Sequence, residues 1–357
     1  MLKHVNLSKE IKKSAALVAA MTVALSFVVG SFAYVNAEEI LEERAANEVE
    51  SLLSDVSRDA ISADDIIEPE LVGDEYVASS DTVYAEVPLE AEDGLYLHDY
   101  DSDVRLSMSL PEEIEFESDG ISTDDMVVYN EDDVAVAVDV LDGAIRQTYV
   151  IKDKDAPKEF TVDYEGTEGL AYLEFAKDDD GNTDGSVLLR DIGGNAISAV
   201  DIPWAKDADG NDVPTHYEID GLKLTQVVEP NADAQYPIVA DPLSITSYFY
   251  SSKWTSSGKT VALSLDPKPS VRVAGPAILF LPWGFMISNA IRKASWDSIQ
   301  NTYKRHNNWS NPAGMKMQYE CHLYFAFWKG GTYNLEPWRR NVNWGSMIWD
   351  HHCNPPR

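Results

Sequence analysis

The 357-residue chain carries 61 Asp and Glu against 28 Lys and Arg, a formal net charge of −33, with 44% hydrophobic residues and only two cysteines. Only one long apolar run is free of interruption, and it lies at the N-terminus, which excludes a polytopic membrane protein. The charge is split: residues 38–241 hold 55 acidic against 11 basic side chains, a net −44, whereas residues 242–357 hold 5 against 13, a net +8. Eight of the nine tryptophans also follow residue 242, and such a shift in charge and aromatic content predicts a domain boundary there.

Residues 1–37 read as an export signal. Lys3, Lys9, Lys12 and Lys13 precede an uncharged run from Ser14 to Gly30, and Val35-Asn36-Ala37 supplies a small-residue exit, predicting cleavage between Ala37 and Glu38. The rival reading is an uncleaved anchor, since about 17 apolar residues lie at the short end for a bilayer span. Cleavage predicts a secreted or cell-surface protein with no integral span after processing. In residues 38–75, Ile40, Leu41, Ala45, Val49, Leu52, Leu53 and Val56 follow three-to-four spacing in an acidic background. They predict a solvated amphipathic helix followed by a flexible linker.

Over residues 76–242 the period changes to two. Val134, Val136, Val138 and Val140 alternate with Ala135, Ala137 and Asp139; Phe160, Val162 and Tyr164 repeat the rhythm. Asp/Gly/Asn turns separate these runs, predicting an all-β antiparallel sandwich with acidic outer faces. One turn, with Asp180, Asn182, Asp184 and then Asp191, has the oxygen spacing of a calcium loop. The same residues suit a plain hairpin turn.

Residues 243–357 predict a small α+β domain. A hairpin should run from Leu243 to Ser251, turn at Thr255–Gly258 and return through Val261, Leu263 and Leu265. An apolar stretch, Ala274–Ile291, is broken by Pro276, Pro282 and Gly284; buried and lipid-entering readings both remain. A helix should follow through Trp296, Ile299 and Tyr303, and the last forty residues should be irregular. Cys321 and Cys353 predict one disulfide in an oxidising compartment, closing a loop worth roughly 3–4 kcal/mol. The alternative is half of a metal site with His322, His351 and His352.

The segment ending in Tyr236-Pro237-Ile238-Val239-Ala240-Asp241-Pro242 resembles an acidic, β-rich extracellular module of actinobacterial secreted proteins, one that precedes variable C-terminal domains. Gln318-Tyr319-Glu320-Cys321-His322, Asn334-Leu335-Glu336-Pro337-Trp338-Arg339 and Cys353-Asn354-Pro355 resemble a small, mostly secreted family without an established function. Arg340 stands where that family usually has proline. The resemblance implies secretion but supplies no activity.

Three functions compete. A His beside a carboxylate with an arginine, drawn from His322, Glu336, Arg339, His351 and His352, would suit a small secreted hydrolase. No nucleophile-elbow, zinc-protease or phosphate-loop motif supports it, and no cofactor is implied. Tryptophans beside Lys304, Arg305, Lys329, Arg339 and Arg340 instead suit a binding or effector module, with an antibacterial role in view. Its partner would be an anionic cell-wall polymer, a phospholipid or a nucleic acid, and the acidic half should shield the basic half by a salt-sensitive intramolecular contact. A structural envelope protein is the third.

Overall fold

The computed structural model describes residues 42–53, 66–258, 260–268, 271, 288–325 and 331–356. The predicted export signal with its Ala37–Glu38 cleavage point, residues 274–287 of the apolar stretch and Lys329 lie outside these. Among the described residues no helix is long and apolar enough to cross a membrane.

The predicted antiparallel β architecture is present. Strands β1 (Glu70–Val72), β2 (Glu75–Ser79), β3 (Val83–Pro88), β4 (Leu95–Asp99) and β5 (Val104–Met108) form a meander in sequence order. Then come β6 (Ile121–Ser122), β7 (Val127–Asn130), β8 (Val134–Leu141), β9 (Ala144–Ile151) and β10 (Glu159–Asp163). These are followed by β11 (Leu170–Lys177), β12 (Thr183–Asp191), β13 (Ala196–Val200) and β14 (Trp204–Lys206). The series continues with β15 (Thr215–Asp220), β16 (Lys223–Val228), β17 (Ile238–Asp241) and β18 (Leu243–Ile245). A ten-stranded sheet runs β11-β12-β13-β18-β9-β8-β7-β6, with β17 pairing both β9 and β14; β10, β16 and β15 make a small third sheet.

The valines of β8 sort to one face and its alanines to the other, as the period of two requires. Val134, Val136, Val138 and Val140 join a core with Val83, Ala85, Leu97 and Leu106 of the meander and Phe160, Val162 and Leu224 of the small sheet. Ala135 and Ala137 point the other way, onto a helix at residues 42–53 (α1), whose Ala46, Val49 and Leu53 are buried there. This corrects the expectation of a solvated helix. The small alanines of β8 let the apolar stripe of α1 lie close to the sheet, and burial outweighs the acidic character of the segment. By Ile66, which bridges Leu141, and Ile67, whose N–H donates to the Val140 carbonyl, the chain is already part of the fold.

Beyond β18 a hairpin of β19 (Phe249–Ser257) and β20 (Thr260–Pro267) pairs with β21 (Tyr333–Leu335). The hairpin starts later than the sequence suggested, because Leu243–Ile245 is taken up by the large sheet between β9 and β13. Among the described residues this half also holds α2 (Asn289–Tyr303), α3 (Pro312–Phe325) and α4 (Trp344–Trp349). The tail is therefore more regular than predicted. At the start of α3 the Asn311 side chain accepts from Gly314 N at 3.2 Å, and proline at the first helical position loses no bond.

The two halves share one core. Ala290, Ile291, Ala294, Trp296 and Ile299 of α2 pack with Leu141, Ala144, Ala176, Leu188 and Ala199 on the same reverse face that α1 covers further along. The acidic half also caps α2: Asn289 N donates to Asp184 Oδ2 at 2.7 Å and Ala290 N to Ser186 Oγ at 3.0 Å, while Ser288 Oγ accepts from Ile291 N. Carboxylate caps oppose the positive end of the helix and satisfy N–H groups left over by its first turn. Lys268, fully buried, sits against Asp142 Oδ1 (2.8 Å), Asp101 Oδ2 (3.1 Å) and Ser247 Oγ (2.6 Å). The predicted contact between acidic and basic halves thus exists, but an apolar core carries much of it, and salt does not screen apolar burial.

A second buried charge cluster lies under the large sheet. Arg146 Nε donates to Asp139 Oδ1 at 2.9 Å and stands 3.9 Å from Asp241 Oδ2, all three buried. Burial pushes the Asp241 carboxyl up to about 7, against the pull of Arg146, and Asp201 and Asp139 nearby add to the rise. Asp201, whose residue keeps partial exposure, is also pushed up to about 7, chiefly by burial of its carboxyl group. Both folded values lie above the unfolded value near 3.9, so the folded state holds protons that the unfolded state has released. Stability should therefore fall as pH rises from about 4 to about 7, by up to roughly 1.4 kcal/mol per pH unit and group. Urea unfolding should place the midpoint higher at pH 5 than at pH 8, and Asp241→Asn with Asp201→Asn should flatten the trend. An unchanged slope in that double variant would assign it to general repulsion in a chain of net charge −33.

Candidate anion-binding site

The motif around Glu336 is a brace. The Gln318 side chain, buried in α3, donates to the Glu336 carbonyl at 3.1 Å and accepts from Glu336 N at 2.9 Å. Trp338 Nε1 donates to the Val261 carbonyl of β20 at 3.1 Å. Arg339 donates from Nε to the Glu336 carboxylate and from Nη1 to the Pro355 carbonyl, with its guanidinium 4.7 Å from the Trp338 ring. One short phrase thus joins α3, β20 and the C-terminal tail. These bonds pair Glu336 with its own arginine, and Arg339 with Glu336 and the Pro355 carbonyl.

Cys321 and Cys353 form the predicted disulfide, with Cα atoms 5.4 Å apart. Its effect on the histidines differs from expectation. His322 stacks on Tyr333, ring centroids 5.1 Å apart, while His352 is exposed in a left-handed turn (φ 46°) and His351 N donates to the Ser346 carbonyl. The ring of His322 thus lies against Tyr333 of β21. Replacing Gln318 by Met keeps the volume but leaves two buried backbone groups of Glu336 unpaired. The expected loss is about 2–3 kcal/mol in urea unfolding.

The four calcium-loop candidates do not converge. Asp180 and Asn182 lie in the β11–β12 turn, Asp184 caps α2, and Asp191 lies at the far end of β12. The turn itself follows a pattern that the sequence reading missed. Asp178-x-x-Gly181-Asn182, Asp191-x-x-Gly194-Asn195 and Asp207-x-x-Gly210-Asn211 close three hairpins in one way. In each, the Asp Oδ1 accepts from the Asn backbone N–H at 2.8 Å, and the glycine takes a positive φ (90°, 78° and 81°). Hydrogen bonds from the paired asparagine hold Asp178 and Asp191 below the usual carboxylate range. Among the described residues no group of three or more His, Cys, Asp or Glu gathers as a metal cage.

What remains is cationic. The carboxylates Asp297, Glu320 and Glu336 of the C-terminal half are paired, to Arg190 (3.4 Å), Arg292 (2.7 Å) and Arg339. Lys253, Lys304, Arg305 and Arg340 are exposed, and among the described residues none has a carboxylate within ion-pair distance. Asn311 bonds the Arg339 carbonyl (3.0 Å) and Asn341 (2.9 Å), bringing Arg340 to the end of the half where the α2–α3 loop carries Lys304 and Arg305. His306 of that loop stacks on Trp254, ring centroids 5.1 Å apart. Of the other tryptophans, Trp296 is buried in the core, while Trp344 and Trp349 remain exposed. Beside this end a cleft of about 370 Å³ opens between α2, the start of α3 and Arg190 of β12.

Residues 249–356 match the family described as protein of unknown function (DUF2599), in line with the resemblance carried by the Asn334–Arg339 and Cys353–Pro355 phrases. The matched segment does not include the Tyr236–Pro242 phrase. No curated protein matches the chain. Among solved structures, an active YidC insertase with its first transmembrane domain resolved is 12% identical at a TM-score of 0.24, covering 54% of this chain and 46% of that one. A glycoside hydrolase family 81 enzyme from Clostridium thermocellum is 8% identical at a TM-score of 0.25, covering 58% and 29%. The chain spans less than half the length of either, and superposition this poor carries no argument about fold or function.

Proposed function

We propose that the chain is exported, and that its C-terminal half binds an anionic polymer of the cell surface through Lys253, Lys304, Arg305 and Arg340. The observation that carries this reading is the asymmetry of pairing. Asp297, Glu320 and Glu336, three of the five carboxylates of this half, are spent on arginines, while these four cations stay exposed without a carboxylate partner among the described residues. Unpaired surface cations on a rigid frame raise the local potential and draw polyanions, with strong dependence on salt. The His306–Trp254 stack beside them offers ring surface to a sugar or base. An effector acting on a neighbouring cell is the finer form of the same reading.

The acidic half acts here as the platform that caps α2 and completes its core, not as a cover that salt removes. The test therefore uses the chain from residue 38 onward and not an isolated C-terminal fragment. Titration against teichoic acid should show saturable binding that weakens steeply with added salt. Preference for anionic vesicles or single-stranded DNA would redirect the partner class, and no binding to any polyanion would refute the reading. Export itself is tested by mass spectrometry of the released protein, which should begin within a residue or two of Glu38. Recovery of the intact Met1 form from membranes would refute that step.

A further inference from the structure

We propose that the cleft between α2 and α3 is a discrete site for a phosphate group, separate from the exposed polymer-binding cations. Its wall contains Arg190, Arg292, Lys293 and Lys316 against one carboxylate, Asp297, with Trp296 and Gln300 completing the lining. Four cations round one small cleft repel one another unless countercharge is present.

Part of that countercharge is built in. Arg190, nine-tenths buried, donates to Glu174 Oε1 at 2.8 Å and to the Gly194 carbonyl at 2.9 Å, and stands 3.4 Å from Asp297. Arg292, also buried, donates to Glu320 Oε1 at 2.7 Å. Each guanidinium is thus held in place by a carboxylate. One ammonium group, that of Lys293, is left over. Lys293 has no carboxylate within ion-pair distance among the described residues, and Lys316 shares Glu320 at 3.5 Å and reaches the exposed Asp179 only at 3.9 Å. The first turn of α3, opening at Pro312 and Ala313 in the same wall, adds the positive end of its backbone dipole.

One ammonium group without a carboxylate, a second that shares its carboxylate with Arg292, and a helix N-terminus suit the several acceptor oxygens of a phosphate better than the two of a carboxylate. The volume, at the small end for ligand pockets, accommodates a phosphate monoester on a small alcohol beside the indole of Trp296. The site joins Arg190 of the acidic half to α2 and α3 of the basic half, so it exists only when both are folded together.

The test is calorimetric titration of the chain from residue 38 onward with inorganic phosphate and with glycerol 3-phosphate, against acetate at matched ionic strength. Saturable binding of the phosphates but not acetate is expected. Lys293→Gln with Lys316→Gln, both partly exposed and outside the core, should weaken it at least tenfold with the fold retained, read by near-ultraviolet circular dichroism. Lys304→Glu with Arg305→Glu should leave it unchanged while abolishing polymer binding. Equal heats for phosphate and acetate, or equal phosphate affinity in the two double variants, would overturn the cleft assignment and leave the polymer reading standing. Binding of free phosphate but not of glycerol 3-phosphate would overturn the monoester form of the proposal.

Discussion

Replacing Arg146 with methionine is expected to cost about 3–5 kcal/mol of stability, because it strands buried carboxylates without their cation. Asp139 and Asp241 are 3% and 5% exposed, and Arg146 is the cation between them. Water cannot reach either carboxylate well enough to replace the guanidinium, so each must stay charged in a poor medium or take up a proton. The cost should therefore shrink at pH 5, where Asp241, already pushed up to about 7, is protonated in the folded state. Removing Asp139 as well, by Asp139→Leu in the same background, should recover most of the loss, since an apolar pair of similar volume is often as stable as a buried ion pair. Urea unfolding of the two variants at pH 5 and pH 8 decides it. A pH-independent cost, or no recovery in the double variant, would show that packing rather than charge dominates at this position.

Cys321→Ser should lower stability by roughly 3–4 kcal/mol, the loop-closure entropy of a bridge spanning about 33 residues. The sequence separation is 32, and the closed loop contains β21, the brace at Glu336–Arg339 and α4. Cys321 is fully buried, so a serine hydroxyl placed there adds a desolvation cost. Cys353→Ser should cost nearly as much, and the double variant no more than the larger single one, because all three remove the same constraint. Reductant should reproduce the loss in the parent chain and change nothing in the variants. Additive losses would mean that the two sulfurs contribute through separate packing.

Local signals in the sequence led to correct elements where one interaction dominates. The alternation at Val134–Val140 fixes β8 because side-chain period and burial agree on both faces. The three-to-four spacing of Trp296, Ile299 and Tyr303 lies in α2 for the same reason. The misses are of two kinds. Some signals were present but not recognised: Asn311-Pro312 opens α3, and the thrice-repeated Asp-x-x-Gly-Asn marks three hairpin turns. Others were never local. Gln318 holds Glu336 from 18 residues away, and Arg190 meets Asp297 across 107 residues, so neither the brace nor the cleft can be read along the chain. Composition predicted that the two halves attract, but not that α2 shares a core with Leu141, Leu188 and Ala199.

The measurement that bears most directly on polymer binding is the salt dependence of teichoic acid affinity for the chain from residue 38 onward, with and without Lys304→Glu and Arg305→Glu. Steep weakening with salt is expected in the parent chain, with at least a tenfold loss at low salt in the variant and equal melting temperatures. Affinity and salt slope that are the same in both proteins would contradict it.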